Sequence, residues 1–179
     1  MPGIDRERPF RPLNIAVLTV SDSRTPADDR SGDLLVARLT AAGHELAARA
    51  IVTDDAARIA AQFQAWIDDP AVDVVISSGG TGVTGRDVTP EALERVAEKI
   101  VPGFGELFRM ISYQKIGSSA LQSRATAGVA KGTYLFALPG SPGACKDGWE
   151  EILNTQLDIR HRPCNFAELL PRLREHELG

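Results

Sequence analysis

Between Ile76 and Leu93 the chain reads ISSGGTGVTGRDVTPEAL. Gly79, Gly80, Gly82 and Gly85 surround Thr81 and Thr84, and Arg86, Asp87 and a Thr89-Pro90 helix start follow. Glycines this dense lose backbone entropy on folding, so the main chain has to come close to something. Successive glycines let N–H groups converge on an anion such as a phosphate. A helix start behind them adds a partial positive charge, worth roughly 0.3–1 kcal/mol when exposed and up to about 2 when partly buried. Asp87 conflicts with that, because a carboxylate repels a phosphate. A divalent cation removes the conflict, since Mg²⁺ is commonly held between one or two carboxylates and substrate phosphates. The plainer alternative is that Asp87 only caps or closes the turn.

The stretch Gly80–Gly85 formally matches GxGxxG. A dinucleotide fingerprint usually closes the first strand and has entered its helix by the third glycine. Here it follows the third expected strand, and Arg86-Asp87-Val88 intervene before the helix, so nicotinamide binding is disfavoured; no GxxxxGK[ST] loop is present either. A second strand–glycine–helix unit, LFALPGSPGACKDGWEEIL from Leu135, repeats the plan. Ser141, the backbone near Gly140 and Gly143, and Lys146 could hold another anionic group there, or the unit is a tight turn that needs Pro and Gly. Arg24, Arg86 and Arg124 are either solvated or offset a polyphosphate. Trp66, Trp149 and Cys145 fit packing roles, and Asp28, Asp29 and Asp33 fit turns and helix starts.

These loops need elements to hold them. Asn14–Val20 is a continuous apolar run, as suits a strand covered on both faces. Ser31 can cap the next helix, which runs to Ala42 and stops at Gly43. His44–Val52 reads as a second strand ended by Asp54 and Asp55. Ile59, Phe63, Trp66 and Ile67 mark an amphipathic helix, and VDVVISS a third strand. Thr89 is the expected cap and Pro90 the first residue of a helix running to about Ile100. A shorter helix follows, with Phe104, Leu107, Phe108 and Ile111 on one stripe, facing either the core or another subunit. Two strands then flank a Lys131-Gly132 turn, and a last helix begins near Pro142. Strands alternating with helices imply right-handed crossovers and a three-layer α/β sandwich with a central, mostly parallel sheet. Ligands of such sheets bind beyond the carboxyl ends of the strands. That rule puts Asp22, Asp54/Asp55 and the glycines with Asp87 on one rim.

The chain has 179 residues, 43% hydrophobic and 25% charged, which suits one ordinary domain. That length buries roughly 70% of its unfolded surface without a metal or disulfide. We read residues 1–12 as an extended arm, 13–166 as a single α/β domain and 167–179 as a tail. A net charge of −4 argues against a nucleic-acid partner but leaves room for a small anion at a local basic cluster. Cys145 and Cys164 form no CxxC, and the three histidines form no zinc pattern. No apolar run reaches the ~18 residues of a membrane span, and MPGIDRERPFRPLN has no signal core. A reducing, cytoplasmic setting is expected.

VLTVSDSR, SSGGTGVTGRDVTPEAL and ALPGSPGACKDGWEEIL resemble the MoaB/MogA family of molybdenum cofactor biosynthesis proteins, over about Asn14 to Phe166. GFGELFRMISYQKIGSSALQSRATAGVA and RPCNF resemble its MoaB branch. The resemblance implies a molybdopterin-binding homo-oligomer, trimer or hexamer, with other cofactor-biosynthesis proteins as possible partners. It also implies transfer of AMP from Mg-ATP to the terminal phosphate of molybdopterin, with pyrophosphate released. By that match Asp54 and Asp87 are the catalytic acids, and they hold Mg²⁺ with the substrate phosphates. Gly79, Gly80, Thr81 and Gly82 form the phosphate loop, and Ser21, Asp22 and Pro139–Gly143 (with Gly140 and Ser141) complete the cleft. Arg86 or Lys146 would offset leaving-group charge. The alternative is an oligomer that binds or carries molybdopterin, or a precursor, without catalysis.

Overall fold

The computed structural model describes residues 2–177. Met1, Leu178 and Gly179, at the ends of the expected arm and tail, lie outside them. In chain order the elements are β1 (Gly3–Ile4), β2 (Asn14–Val20), α1 (Arg30–Ala41), β3 (Glu45–Val52), α2 (Ala56–Ile67), β4 (Val74–Ser78), α3 (Thr89–Val96), β5 (Lys99–Ile100), α4 (Pro102–Ile116), β6 (Thr126–Ala130), β7 (Thr133–Leu138), α5 (Pro142–Gly148), α6 (Asn154–Gln156), β8 (His161–Arg162) and α7 (Phe166–Leu169). Six strands form one sheet in the order β3-β2-β4-β7-β6-β5. The first four are parallel; β6 runs antiparallel to β7, and β5 antiparallel to β6. The arm is not free, because β1 pairs with β8.

Register decides which side chains share a face. Val17 lies beside Ile76, and Ile76 beside Phe136. These residues, with Ile15, Val74 and Tyr134, pack against Leu35 and Leu39 of α1, Phe104 and Phe108 of α4, and Trp149. The alternate residues Ala16, Leu18, Val75 and Leu135 face Ile59, Phe63 and Trp66 of α2 and Leu93 of α3. Both faces are therefore covered, which is why β2, β4 and β7 read as unbroken apolar runs. This is the three-layer α/β sandwich with a mostly parallel sheet that the alternation of elements implies.

Four local expectations change. Asp29, not Ser31, caps α1: its carboxylate accepts from the Gly32 N–H at 3.0 Å, while the Ser31 hydroxyl donates to the Gly140 carbonyl at 2.7 Å. Thr89 does not cap α3, because its hydroxyl is spent on the Gly79 carbonyl at 2.8 Å. That helix ends at Val96 rather than near Ile100. Ala97 turns extended and the Glu98 N–H donates to Val129, so the chain gains more by pairing with β6 than by another helical turn. Finally, α4 is no shorter than its predecessors at 15 residues. Its Phe104 and Phe108 complete the monomer's core, whereas Leu107 is left partly exposed.

Candidate functional site

The parallel strands β2, β3, β4 and β7 all point their carboxyl ends to one rim. The loops there carry Ser21-Asp22, Asp54-Asp55, Gly79–Asp87 and Pro139–Gly143. Two of these loops touch: a Cβ on Gly140 would sit 3.1 Å from the Gly79 Cα. Gly79 and Gly80 both have positive φ, 101° and 65°, a region open to glycine at little cost.

Four successive carbonyls of the glycine loop are tied behind it. Thr89 binds two, its hydroxyl to Gly79 O and its N–H to Gly80 O at 3.0 Å. Arg124 binds the next two, its N–H to Thr81 O at 2.8 Å and its Nε to Gly82 O at 2.6 Å. A trans peptide points each carbonyl opposite to the next residue's N–H, so the amides of Gly80 to Val83 are turned to the other side. Among the described residues the Gly80 and Thr81 N–H groups donate to no acceptor, and that of Gly82 faces the Asp87 carboxylate. The Gly79 N–H is already committed to Leu138 O at 3.0 Å, so Gly79 shapes the loop rather than supplying a donor.

Three acids and one arginine stand beside these amides. Arg86 forks onto Asp22, with Nε at 2.9 Å and Nη2 at 2.7 Å from Oδ2. This hydrogen bond, then the Asp54 N–H, hold the Asp22 carboxyl below its usual range. Asp54 goes the other way. Partial burial, followed by the charge of Asp22, raises its carboxyl; the Asp22 N–H and then Arg86 counter this only in part, and Asp87 adds to the rise. Its carboxylate lies against Gly80 and faces the Asp22 N–H. Burial alone would raise Asp87, but the Thr84 hydroxyl and N–H, the Gly82 N–H and the Arg124 charge together lower it. Asp87 Oδ2 takes both Thr84 bonds, at 2.7 and 2.9 Å, which leaves Oδ1 without a donor. Asp87 therefore does close the turn, and it keeps one oxygen free.

The family model described as "Probable molybdopterin binding domain" matches residues 16–159. The chain is 51% identical over 157 residues to molybdenum cofactor biosynthesis protein B of Escherichia coli (strain K12), covering 88% of this chain and 92% of that protein. A solved structure of molybdenum cofactor biosynthesis protein B aligns with a TM-score of 0.85 and 38% identity over 94% of this chain and 99% of the other. This chain belongs to the MoaB/MogA family of molybdenum cofactor biosynthesis proteins. A structure of MogA itself aligns with a TM-score of 0.73 and 28% identity over 89% of this chain and 99% of the other, so the sequence identity, though not every structural alignment, is higher on the MoaB side. The span matched to the molybdopterin-binding model contains every rim residue from Ser21 to Lys146 and omits the arm and tail.

Two of the clefts on the rim of this MoaB/MogA family member are larger than the hollow of about 100 Å³ between Thr19, Ser31 and Gly140. One, of about 640 Å³, runs from Ser21 and Asp22 past Arg24 to Arg49 and Val52. The other, of about 220 Å³, lies between Thr81-Gly82, Pro139 and Ser141, with Ser112, Ser119 and Ser123 on its far wall. That wall was not foreseen. Its signal was in GSSALQ (Gly117–Gln122), which forms a 3₁₀ turn between α4 and β6 and brings Ser119 and Gln122 to the cleft. Lys146 sits apart: its ammonium is 3.9 Å from Glu150 on the same helical face. Cys145 is fully buried and burial pushes its thiol up to about 12, as fits a packing residue. No three His, Cys, Asp or Glu side chains among the described residues form a ready metal cluster. No helix among them is long and apolar enough to cross a membrane.

Proposed function

We propose that this protein acts in molybdenum cofactor biosynthesis by binding molybdopterin through its phosphate and transferring AMP to that phosphate from Mg-ATP. The reading is carried by one observation: the amides of Gly80 and Thr81, which donate to no acceptor among the described residues, share the rim with two carboxylates, Asp54 and Asp87. The amides suit a phosphate monoester. The acids suit a hard cation shared with phosphates, since Mg²⁺ takes oxygen ligands and needs only one or two carboxylates. Asp54, raised by burial and by two neighbouring acids, is short of positive charge. Asp54 and Asp87 Oδ1 would hold Mg²⁺, which when bound neutralises charge on the phosphates.

The transfer is a displacement at phosphorus. An oxygen of the molybdopterin phosphate forms a bond to the α-phosphorus of ATP as the bond to the bridging oxygen breaks, and pyrophosphate leaves with that electron pair. Such chemistry depends mainly on positioning and charge stabilisation. The loop amides orient the attacking phosphate. Arg86 is exposed beside the acids and can turn from Asp22 to the leaving group.

Pyrophosphate release from purified protein, molybdopterin and Mg-ATP tests this. Replacing Asp87 by Asn is expected to lower turnover on the order of 10²-fold or more while molybdopterin binding changes little. A variant with undiminished Mg-dependent transfer refutes the assignment. A second reading, a carrier that binds without turnover, draws on the Thr84 bonds that already occupy Asp87 Oδ2. Wild-type protein that binds molybdopterin but releases no pyrophosphate selects it.

A further inference from the structure

We infer that Arg124 is a positioning residue that holds the glycine loop in its ligand-ready shape, an inference that rests on the phosphate-cradle reading above. Three loop carbonyls end on this one residue: Thr81 O on its N–H, Gly82 O on Nε, and Asp87 O on Nη2 at 2.7 Å. One donor each from Nη1 and Nη2 goes to the Glu91 carboxylate in the first turn of α3. Arg124 follows the 3₁₀ turn and stands two residues before Thr126 opens β6, so it holds the loop from a separate segment that runs into the sheet.

The geometry asks for arginine. The planar guanidinium offers donors in a fixed fork, and here two carbonyls five residues apart in the loop and one carboxylate meet it at once. A lysine ammonium has the charge but not the fork. Thr89 fixes the first two carbonyls of the loop and Arg124 the next two, so the amides of Gly82 and Val83 depend on Arg124 for their direction. Its positive charge also lies behind Asp87 and helps keep that carboxyl ionised. Arg124 thus touches no substrate group itself. It acts on Asp87, through the Gly82 amide turned toward that carboxylate and through the Asp87 carbonyl it holds.

Arg124→Lys and Arg124→Ala test this with readouts that a general structural role would not move together. Amide hydrogen exchange in residues 81–87 of the unliganded protein is expected to speed up at least tenfold in Arg124→Lys, with exchange in β2 and β4 unchanged. Turnover in AMP transfer is expected to fall on the order of 10²-fold, as misplacement by an ångström can cause, and molybdopterin affinity to weaken. Ethylguanidinium added to Arg124→Ala is expected to restore part of the lost turnover or affinity. Unchanged loop exchange in Arg124→Lys overturns the inference. So does a loosened loop with both turnover and molybdopterin affinity intact. If the wild type transfers no AMP, only the catalytic reading fails, and the molybdopterin affinity of the two variants still decides the role of Arg124.

Discussion

Asp54 is asked to stay charged in a place that disfavours charge. Burial and the Asp22 carboxylate raise its pKa, and Asp87 adds to this. A carboxyl whose folded pKa exceeds its unfolded one adds stability only below the unfolded value, near pH 3.8, and that stability is lost as pH rises through the folded value. At neutral pH the ionised Asp54 therefore costs stability. Asp54→Asn is expected to raise the melting temperature at pH 7, with the gain shrinking toward pH 4, while AMP transfer collapses. Solvent screening at this partly exposed site keeps the gain small, on the order of 1–2 °C. Melts of both proteins across that range check it, and a lower melting temperature at pH 7 contradicts it. Gly79 gives the opposite case. Its φ of 101° and the Val20 carbonyl against its missing Cβ leave no room for alanine. Gly79→Ala is expected to cost roughly 1–3 kcal/mol and to lower molybdopterin affinity by moving the loop, measurable by denaturant melts and titration. That the glycines and Asp87 share one rim loop was legible in the sequence, because they follow a strand and precede a helix within one short stretch. The commitment of the Gly79 amide to Leu138 was not, since it depends on β7 ending beside β4.

At the scale of elements, the buried Asp29 ties three of them together. Its carboxylate is 1% exposed. It accepts from Gly32 N–H on α1, from Thr19 Oγ1 on β2 at 2.8 Å, and from Arg49 Nη2 on β3 at 2.7 Å. Burial alone would raise this carboxyl; the Arg49, Gly32 and Thr19 hydrogen bonds outweigh it and hold it below its usual range. Asp29→Ala strips the cap from α1 and leaves Arg49 and Thr19 short of a partner. Breaking a buried pair from one side costs about 3–5 kcal/mol, a fall of roughly 6–20 °C for a domain of this size, which calorimetry would show. A loss under 2 °C would mean that water replaces the carboxylate. Asp29 was readable as a helix-start acid, but the cap position was not. Ser31 and Asp29 are both good caps by type, and only the approach of Gly140 to α1 draws Ser31 away. The early end of α3 has the same kind of cause. Nothing in GluLysIle stops a helix, and the chain leaves it because β6 offers an open edge at Val129.

At the scale of the whole molecule, the side of α4 turned from the core raises the last question. Phe104 and Phe108 go inward to the monomer's own core, while Leu107 of the same stripe stays exposed. Met110 at 57% and Tyr113 at 64% exposure face out, and Leu121 beyond the helix is 82% exposed. Apolar side chains gathered like this on one side of a lone chain commonly mark an interaction surface. Ile116, also exposed, belongs both to that side and to the 220 Å³ cleft, so whatever covers α4 also walls the cleft. We propose a second copy of the chain as the cover, as the resemblance to the MoaB/MogA family implies, since a closed ring would bury the same face on every copy. Light scattering of the wild type is expected to give the mass of three chains or a multiple of three. Met110→Glu with Leu121→Lys is expected to shift it toward one chain, with the circular dichroism of the fold retained and molybdopterin affinity reduced because the cleft has lost a wall. A wild type that stays at the mass of one chain at tens of micromolar removes the assembly. A double variant that keeps its mass moves the contact to another surface, and the cleft must then be complete within each copy.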